Sequence, residues 1–228
     1  MDETISSLSD VASVVSAIDA EMKALSVRNT SNMRTIRHKY MQALKHTSPD
    51  FLIRLASKLL EIDDYRWVAY ELIQGHKGAF ERLGAAELEI LGHGINSWWT
   101  VDAFARTLSG PAWRDGQVSD TVILAWAHSA DRWWRRAALV STVALNVRSH
   151  GGQGDVSRTL RVCRVLVQDH DEMVAKAMSW ALRELVVHDA AAVRAFLDEY
   201  DAVLTARVKR EVKNKLQTGL KNSGRQSQ

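Results

Sequence analysis

The chain has 228 residues, 46% of them apolar and 25% charged, with 12 Gly, 2 Pro and a formal charge of +3. These proportions exclude a wholly disordered chain, which needs scarce apolar residues and a high net charge, and they exclude a collagen-like or Pro-rich one. No apolar run approaches the roughly 20 residues that cross a bilayer, and Asp2 and Glu3 stand where a signal peptide needs positive charge, so a cytoplasmic protein is expected.

Residues 1–24 hold five acids and one Lys, and residues 1–30 read as an acidic N-terminal helix or segment. Apolar residues then recur at three and four, without strict alternation, which predicts helix after helix. The spans are about 4–25, 32–45, 48–61, 64–75, 85–92, 96–109, 118–128, 130–146, 155–168, 170–187, 189–199 and 203–217, each end good to two to four residues. Ser48 before Pro49 predicts an N-cap with Pro at the first helical position. Gly75, Gly78, Gly92, Gly94, the pair Gly110-Pro111 and the run from Gly151 to Gly154 read as connections, the last without the Lys-Ser/Thr of a phosphate-binding loop. Cys163 is the single cysteine, and its apolar neighbours Val162 and Val165 mark it as core. Short links imply antiparallel neighbours, and helix pairs spaced by roughly 35–45 residues suit HEAT-like repeats. The fold expected is all-α, a right-handed superhelix of HEAT-like antiparallel helix pairs over 31–217 with a concave binding face, followed by a disordered basic tail at 218–228.

Seven of the eight Trp fall within 98–180, and residues 207–228 carry seven Lys or Arg against Glu211 alone. Arg207, Lys209 and Arg210 in that basic helix suggest a polyanion partner; the alternative is a solvated helix end that complements the dipole. Turning each helix by 100° per residue separates unusual side chains from the apolar stripe. On 96–109, Val101, Phe104, Ala105 and Leu108 make the stripe, and Trp98, Asp102 and Arg106 form a separate ridge. On 170–187, Val174, Ala177, Met178, Ala181 and Leu185 make it, with Trp180 opposite, beside Lys176 and Arg183. On 130–146, Trp133, Ala137, Val140 and Ala144 face the core, with Arg132 and Arg136 stacked away from it.

Cations that neutralise phosphates and indoles that pack on sugars or bases describe a groove for nucleic acid. A lone carboxylate there repels phosphate unless it stabilises a cation formed in the reaction, and the sugar left as an N-glycosidic bond breaks is such a cation. The plainer reading is a surface ion pair of Asp102 with Arg106, with the two Trp filling gaps between repeats. The eight His show no metal-ligand spacing, so neither metal nor cofactor is expected.

At these residues the chain resembles the DNA alkylation repair family of HEAT-like glycosylases, the AlkD-like enzymes. Ser97-Trp98-Trp99-Thr100-Val101-Asp102 is similar to the family's Trp-x-x-x-Asp motif. Asp131-Arg132-Trp133-Trp134-Arg135-Arg136-Ala137-Ala138 is similar to the segment whose Arg contacts the lesion-bearing backbone, here Arg136. The segment from Lys176 to Glu184 resembles the one that brings the second active-site Trp, here Trp180. The resemblance spans about 30–217 and implies a monofunctional, metal-free glycosylase. It would excise N3- or N7-alkylated purines from double-stranded DNA without base flipping, leaving an abasic site. Asp102 would be the catalytic carboxylate, Trp98 and Trp180 would pack on the deoxyribose, and Arg136 would hold a phosphate. The protein is expected to be a monomer. A non-catalytic HEAT-like binder of bent or branched DNA and a protein-binding scaffold stand as alternatives.

Overall fold

The computed structural model describes residues 10–27, 29–62 and 65–222. The described chain is all-helical, and no strand occurs among the described residues. It divides between His93 and Gly94 into two compact units. No helix among the described residues is long and apolar enough to cross a membrane.

The first unit holds α1 (Val11–Lys23), α2 (Thr30–Ala43), α3 (Pro49–Leu59), α4 (Arg66–Gly75), a single turn α5 (Lys77–Phe80) and α6 (Ala85–Gly92). Asp10 caps α1 through the amides of Ala12 and Ser13, and Ser48 caps α3 through Phe51, with Pro49 following it as expected. Val14, Ile18 and Met22 recur at four along α1, and Leu52, Leu55, Ala56 and Leu59 along α3. Their burial makes α1 an integral part of this unit. Tyr65 and Tyr40 donate to Asp19 and Glu21 of α1, which holds the polar side of that helix too. The N-terminal helix expected from residue 4 is described from Val11 on; residues 1–9 lie outside the described residues.

The second unit runs through α7 (Trp98–Phe104), a π turn (Ala105–Ser109), α8 (Gly110–Arg114), α9 (Asp120–Ala127), α10 (Arg132–Ser141) and α11 (Val143–Asn146). After a 3-10 turn (Arg148–His150) follow α12 (Val156–Val165), α13 (Glu172–Leu185), α14 (Ala190–Glu199) and α15 (Ala206–Thr218). Helix α10 is its centre, packed against α7, α9 and α13, and α13 packs in turn on α15. Phe104, Trp126 and Trp134 cluster between α7, α9 and α10 with centroids 4.8–5.9 Å apart. Three of the Trp-rich segment's residues are thus explained by packing: Trp126 and Trp134 by this cluster, and Trp113 by burial, with its Nε1–H on Asp120. Cys163 is buried as expected, and burial pushes its thiol up to about 12.

Two readings of the connections need correcting. Gly110-Pro111 is no break, because the helix continues through it. Pro111 has no N–H to give to the preceding turn, and the π turn just before it, closed by Gly110 N–H on Ala105 O, widens the helix where that bond is missing. Gly110 is needed for close packing, since a Cβ there would lie 2.7 Å from the Cβ of Ala144. The helix expected over 130–146 is in turn broken at Thr142. Ser141 and Thr142 hydroxyls donate back to the carbonyls of Ala137 and Leu139, which bends a helix.

The run from Gly151 to Gly154 is a turn, with Gly151 and Gly154 both at φ +88°. Asn146 ties it down: its Nδ2 donates to Thr142 O and Thr159 Oγ1, its Oδ1 accepts from Asp155 N–H, and its carbonyl meets His188 Nε2 at 2.6 Å. A Cβ on Gly152 would stand 2.6 Å from Val147 N. Gly152→Ala should therefore destabilise the second unit by about 2 kcal/mol or more, because backbone there cannot move aside. A urea midpoint equal to that of the natural chain would contradict this.

Candidate nucleic-acid interface and active site

Two of the three stripes read from the sequence are the buried ones, whereas in the third, on 130–146, Ala137, Val140 and Ala144 are buried but Trp133 is only half-buried. Val101, Phe104, Ala105 and Leu108 are fully buried on α7 and its π turn, as are Val174, Ala177, Ala181 and Leu185 on α13. Trp98, at the first position of α7, is left 57% exposed. Its helix start is set by Thr100, whose hydroxyl accepts from the amides of Asn96 and Ser97 and donates to Ser97 O.

One turn on, Asp102 meets Arg136 of α10. The guanidinium forks onto the carboxylate, Nε to Oδ1 and Nη2 to Oδ2 at 2.9 Å each, and Nη1 donates to Met173 O at 2.6 Å. One side chain thereby joins α7, α10 and the first turn of α13. Three expectations change. The partner of Asp102 is Arg136, not Arg106. Asp102 is not an open anion, since its side chain is 17% exposed. Arg136 is not turned away from the core, being only 5% exposed. The 100° rotation gives the direction of its Cβ, whereas its long side chain folds back under the surface to reach a carboxylate and a carbonyl. Burial pushes the Asp102 carboxyl above the ordinary aspartate range, against the downward pull of the hydrogen bonds and charge of Arg136 and the charge of Arg106.

Arg106, exposed on the π turn, lies over Trp180 with its guanidinium carbon 5.6 Å from the ring centroid. The indole Nε1–H donates to Glu184 at 2.9 Å, fixing the ring's edge. Trp98 and Trp180, with Arg136 and Met173, line a hollow of about 340 Å³ whose other walls are Lys176, Arg183, Arg207 and Lys221. The sequence reading brought most of these residues together, and the structure puts Trp98, Arg136, Lys176, Trp180, Arg183 and Arg207 at one place.

A model of the family described as DNA alkylation repair enzyme matches residues 7–216. The chain belongs to that family. Neither curated proteins nor solved structures gave a match. The DNA alkylation repair family makes the protein an enzyme of DNA repair with DNA as its substrate; Asp102 is not among the residues that line the hollow and reaches it through Arg136.

Within this DNA alkylation repair enzyme, not every basic residue picked from the sequence reaches the hollow. Arg132 lies over Trp133, 4.8 Å from its centroid, and pairs with Asp171. Lys209 is half a turn from Arg207 on α15 and donates to Asp201, as an ion-pair partner shared with Lys213. Arg210 is exposed on the same helix but is no part of the lining. The expected tail does not begin at 218: Gly219 ends α15 at φ +74°, and Lys221 turns back to within 3.8 Å of Glu211. Residues 223–228 lie outside the described residues.

The carboxylate is also not a lone one. Glu172 pairs with Lys176 at 2.8 Å, Glu184 holds Trp180, and Glu211 accepts from Arg207 and from Ser179. The three i, i+4 relations were open to inspection in the sequence as helix pairs. Lys221 was not, because no periodicity carries past the C-cap.

Proposed function

We propose that this family member is a monofunctional DNA glycosylase that hydrolyses the N-glycosidic bond of N3- or N7-alkylated purines in duplex DNA. The observation that carries this reading is the carboxylate of Asp102, one turn from the exposed indole of Trp98 and fixed by Arg136, itself a wall of the cationic hollow. An acid facing a phosphate directly weakens its binding, whereas a reaction that creates a sugar cation gains from one. Alkylation leaves the purine positively charged. As the C1′–N9 bond breaks, its electron pair neutralises the base and C1′ becomes cationic. Water then bonds to C1′ and gives up a proton, leaving an abasic site. Asp102 stabilises the sugar cation and orients the water, and Trp98 and Trp180 pack on the deoxyribose, where their electron-rich faces favour positive charge. Lys176, Arg183 and Arg207 hold the backbone phosphates. Arg136 has five N–H groups, of which three are used within the protein, so its main work is to hold Asp102, with a phosphate as its outer contact.

In this reading the helix pairs form a HEAT-like right-handed superhelix, the enzyme works as a monomer at the nucleoid, and gripping the backbone replaces extrusion of the base, which otherwise costs a few kcal/mol. The tight pairing of Asp102 with Arg136 also suits a DNA binder without chemistry, in which the acid merely orders the guanidinium. Incubating the purified protein with methylated duplex separates the two. Free 3-methyladenine or 7-methylguanine together with abasic sites supports the glycosylase, and tight binding with no released base makes the protein a binder.

A further inference from the structure

Beneath the hollow lies an acid to which the proposed reaction gives no part. Glu211 is 4% exposed on α15. Its Oε2 accepts from Ser179 Oγ at 2.7 Å, from the residue next to Trp180, and its Oε1 accepts from Arg207 Nη1 at 3.1 Å. Lys221 Nζ stands 3.8 Å from Oε2. Arg183 donates from Nε to the same Ser179 hydroxyl at 3.3 Å. Three of the four Lys and Arg side chains that wall the hollow beside Arg136 are thus gathered, directly or through one hydroxyl, by one buried carboxylate.

We propose that Glu211 is the positioning residue of this hollow, aligning Arg207, Lys221 and Arg183 as a preformed cradle for a DNA phosphodiester; this rests on the reading of the hollow as a DNA-backbone site. Like charges crowded on one wall repel and spread into solvent unless a counter-charge holds them. A carboxylate buried under them supplies that charge from the side the phosphate does not approach. Order before binding is what lets long side chains bind without a large loss of rotamer freedom.

The sign of one measurement separates positioning from mere proximity. Glu211→Gln keeps the shape and a partner for Ser179 but removes the charge. Were Glu211 only a negative group near DNA, its loss would tighten binding. As a positioning residue, its loss weakens the affinity of the full chain for a short undamaged duplex by about tenfold at low salt, with the salt slope reduced by about one. Where base release is observed, the change falls on the half-saturating DNA concentration and not on the rate at saturation. Ser179→Ala, a smaller change that strips Arg183 and Glu211 of their shared hydroxyl, should weaken binding by about threefold in the same direction, and it decides the matter if Glu211→Gln does not fold. Glu211→Asp should recover part of the affinity. Equal or tighter binding by the Gln and Ala variants overturns the proposal. Should the natural chain bind no DNA, the reading of the hollow fails separately. Glu211 is then judged on the Arg183 and Arg207 side-chain N–H resonances, expected to merge with those of exposed Arg in Glu211→Gln. Unchanged resonances overturn the positioning role.

Discussion

Replacing Asp102 with Asn should lower single-turnover release of alkylated purine by about 100- to 1,000-fold, the usual effect of removing one preorganised electrostatic group from a transition state. Affinity for undamaged duplex should change far less, since Asp102 is not one of the residues that line the hollow. The substitution is not silent for the fold: Arg136 loses the charge its fork rests on, so a stability cost of about 2–4 kcal/mol accompanies it, and rates must be compared well below the melting point. A pH profile adds a second readout. On the proposed mechanism Asp102 acts as an anion, and its carboxyl titrates above the ordinary aspartate range because burial outweighs Arg136 and Arg106. The natural enzyme should therefore lose activity on acidification at a higher pH than an exposed aspartate would give, and the residual activity of the Asn variant should lack that limb. Release by Asp102→Asn at the natural rate would remove the acid from the chemistry.

Much of this site was legible in the sequence, for reasons that also mark where legibility stops. Period and rotation gave the buried faces of α7 and α13, because Val101, Phe104, Val174 and Ala181 are short enough to stay where their Cβ atoms point. The same rotation set Trp98 off the core correctly. It failed for Arg136, whose guanidinium ends far from its Cβ, buried against Asp102 and Met173 O. Long side chains separate the address of a residue from the place of its charge. Arg207 and Lys209 illustrate the reverse: they were grouped as one basic patch by composition, although two residues on a helix are 200° apart, and one meets Glu211 while the other meets Asp201. The continuation of the helix through Gly110-Pro111 was hidden because Pro is a breaker by local rule, and only packing against Ala144 and a π turn override it.

The family membership and the geometry bear on different questions. The family sets the class of substrate, alkylated DNA, over nearly the whole described chain. What this chain adds is that acids hold the cations of the hollow in two pairings, Asp102 with Arg136 and Glu211 with Arg207 and Lys221. Glu211 is the more buried member of its pairs, with 5% of its side chain exposed against 35% for Arg207 and 50% for Lys221, whereas Asp102, at 17%, is less buried than Arg136, at 6%. On the proposed reading of the hollow, an acid buried behind cations, as Glu211 is, need not repel DNA.

Removal of the cation from the first of these pairs should have the largest effect on stability. Arg136→Met keeps much of the side chain's length and none of its charge, and it leaves Asp102 as a mostly buried anion without its partner, which costs about 3–5 kcal/mol near neutral pH. The sign of the pH dependence follows from the carboxyl. Its pKa in the folded chain already lies above the value of 3.8 for a free aspartate, and loss of Arg136 raises it further. A group whose folded pKa is raised stabilises the fold fully below its unfolded pKa and loses that contribution as pH rises through the folded pKa. The variant should accordingly be weakest at neutral pH and recover toward the natural chain as acid protonates Asp102, which as a neutral acid needs no guanidinium. Combining Arg136→Met with Asp102→Asn should cost less than the sum of the single changes by about 2 kcal/mol or more, since the double variant buries no unpaired charge. Additive costs, or a deficit in Arg136→Met that is unchanged from pH 7 to pH 4, would mean that the pair seen between α7 and α10 does not carry the energy assigned to it.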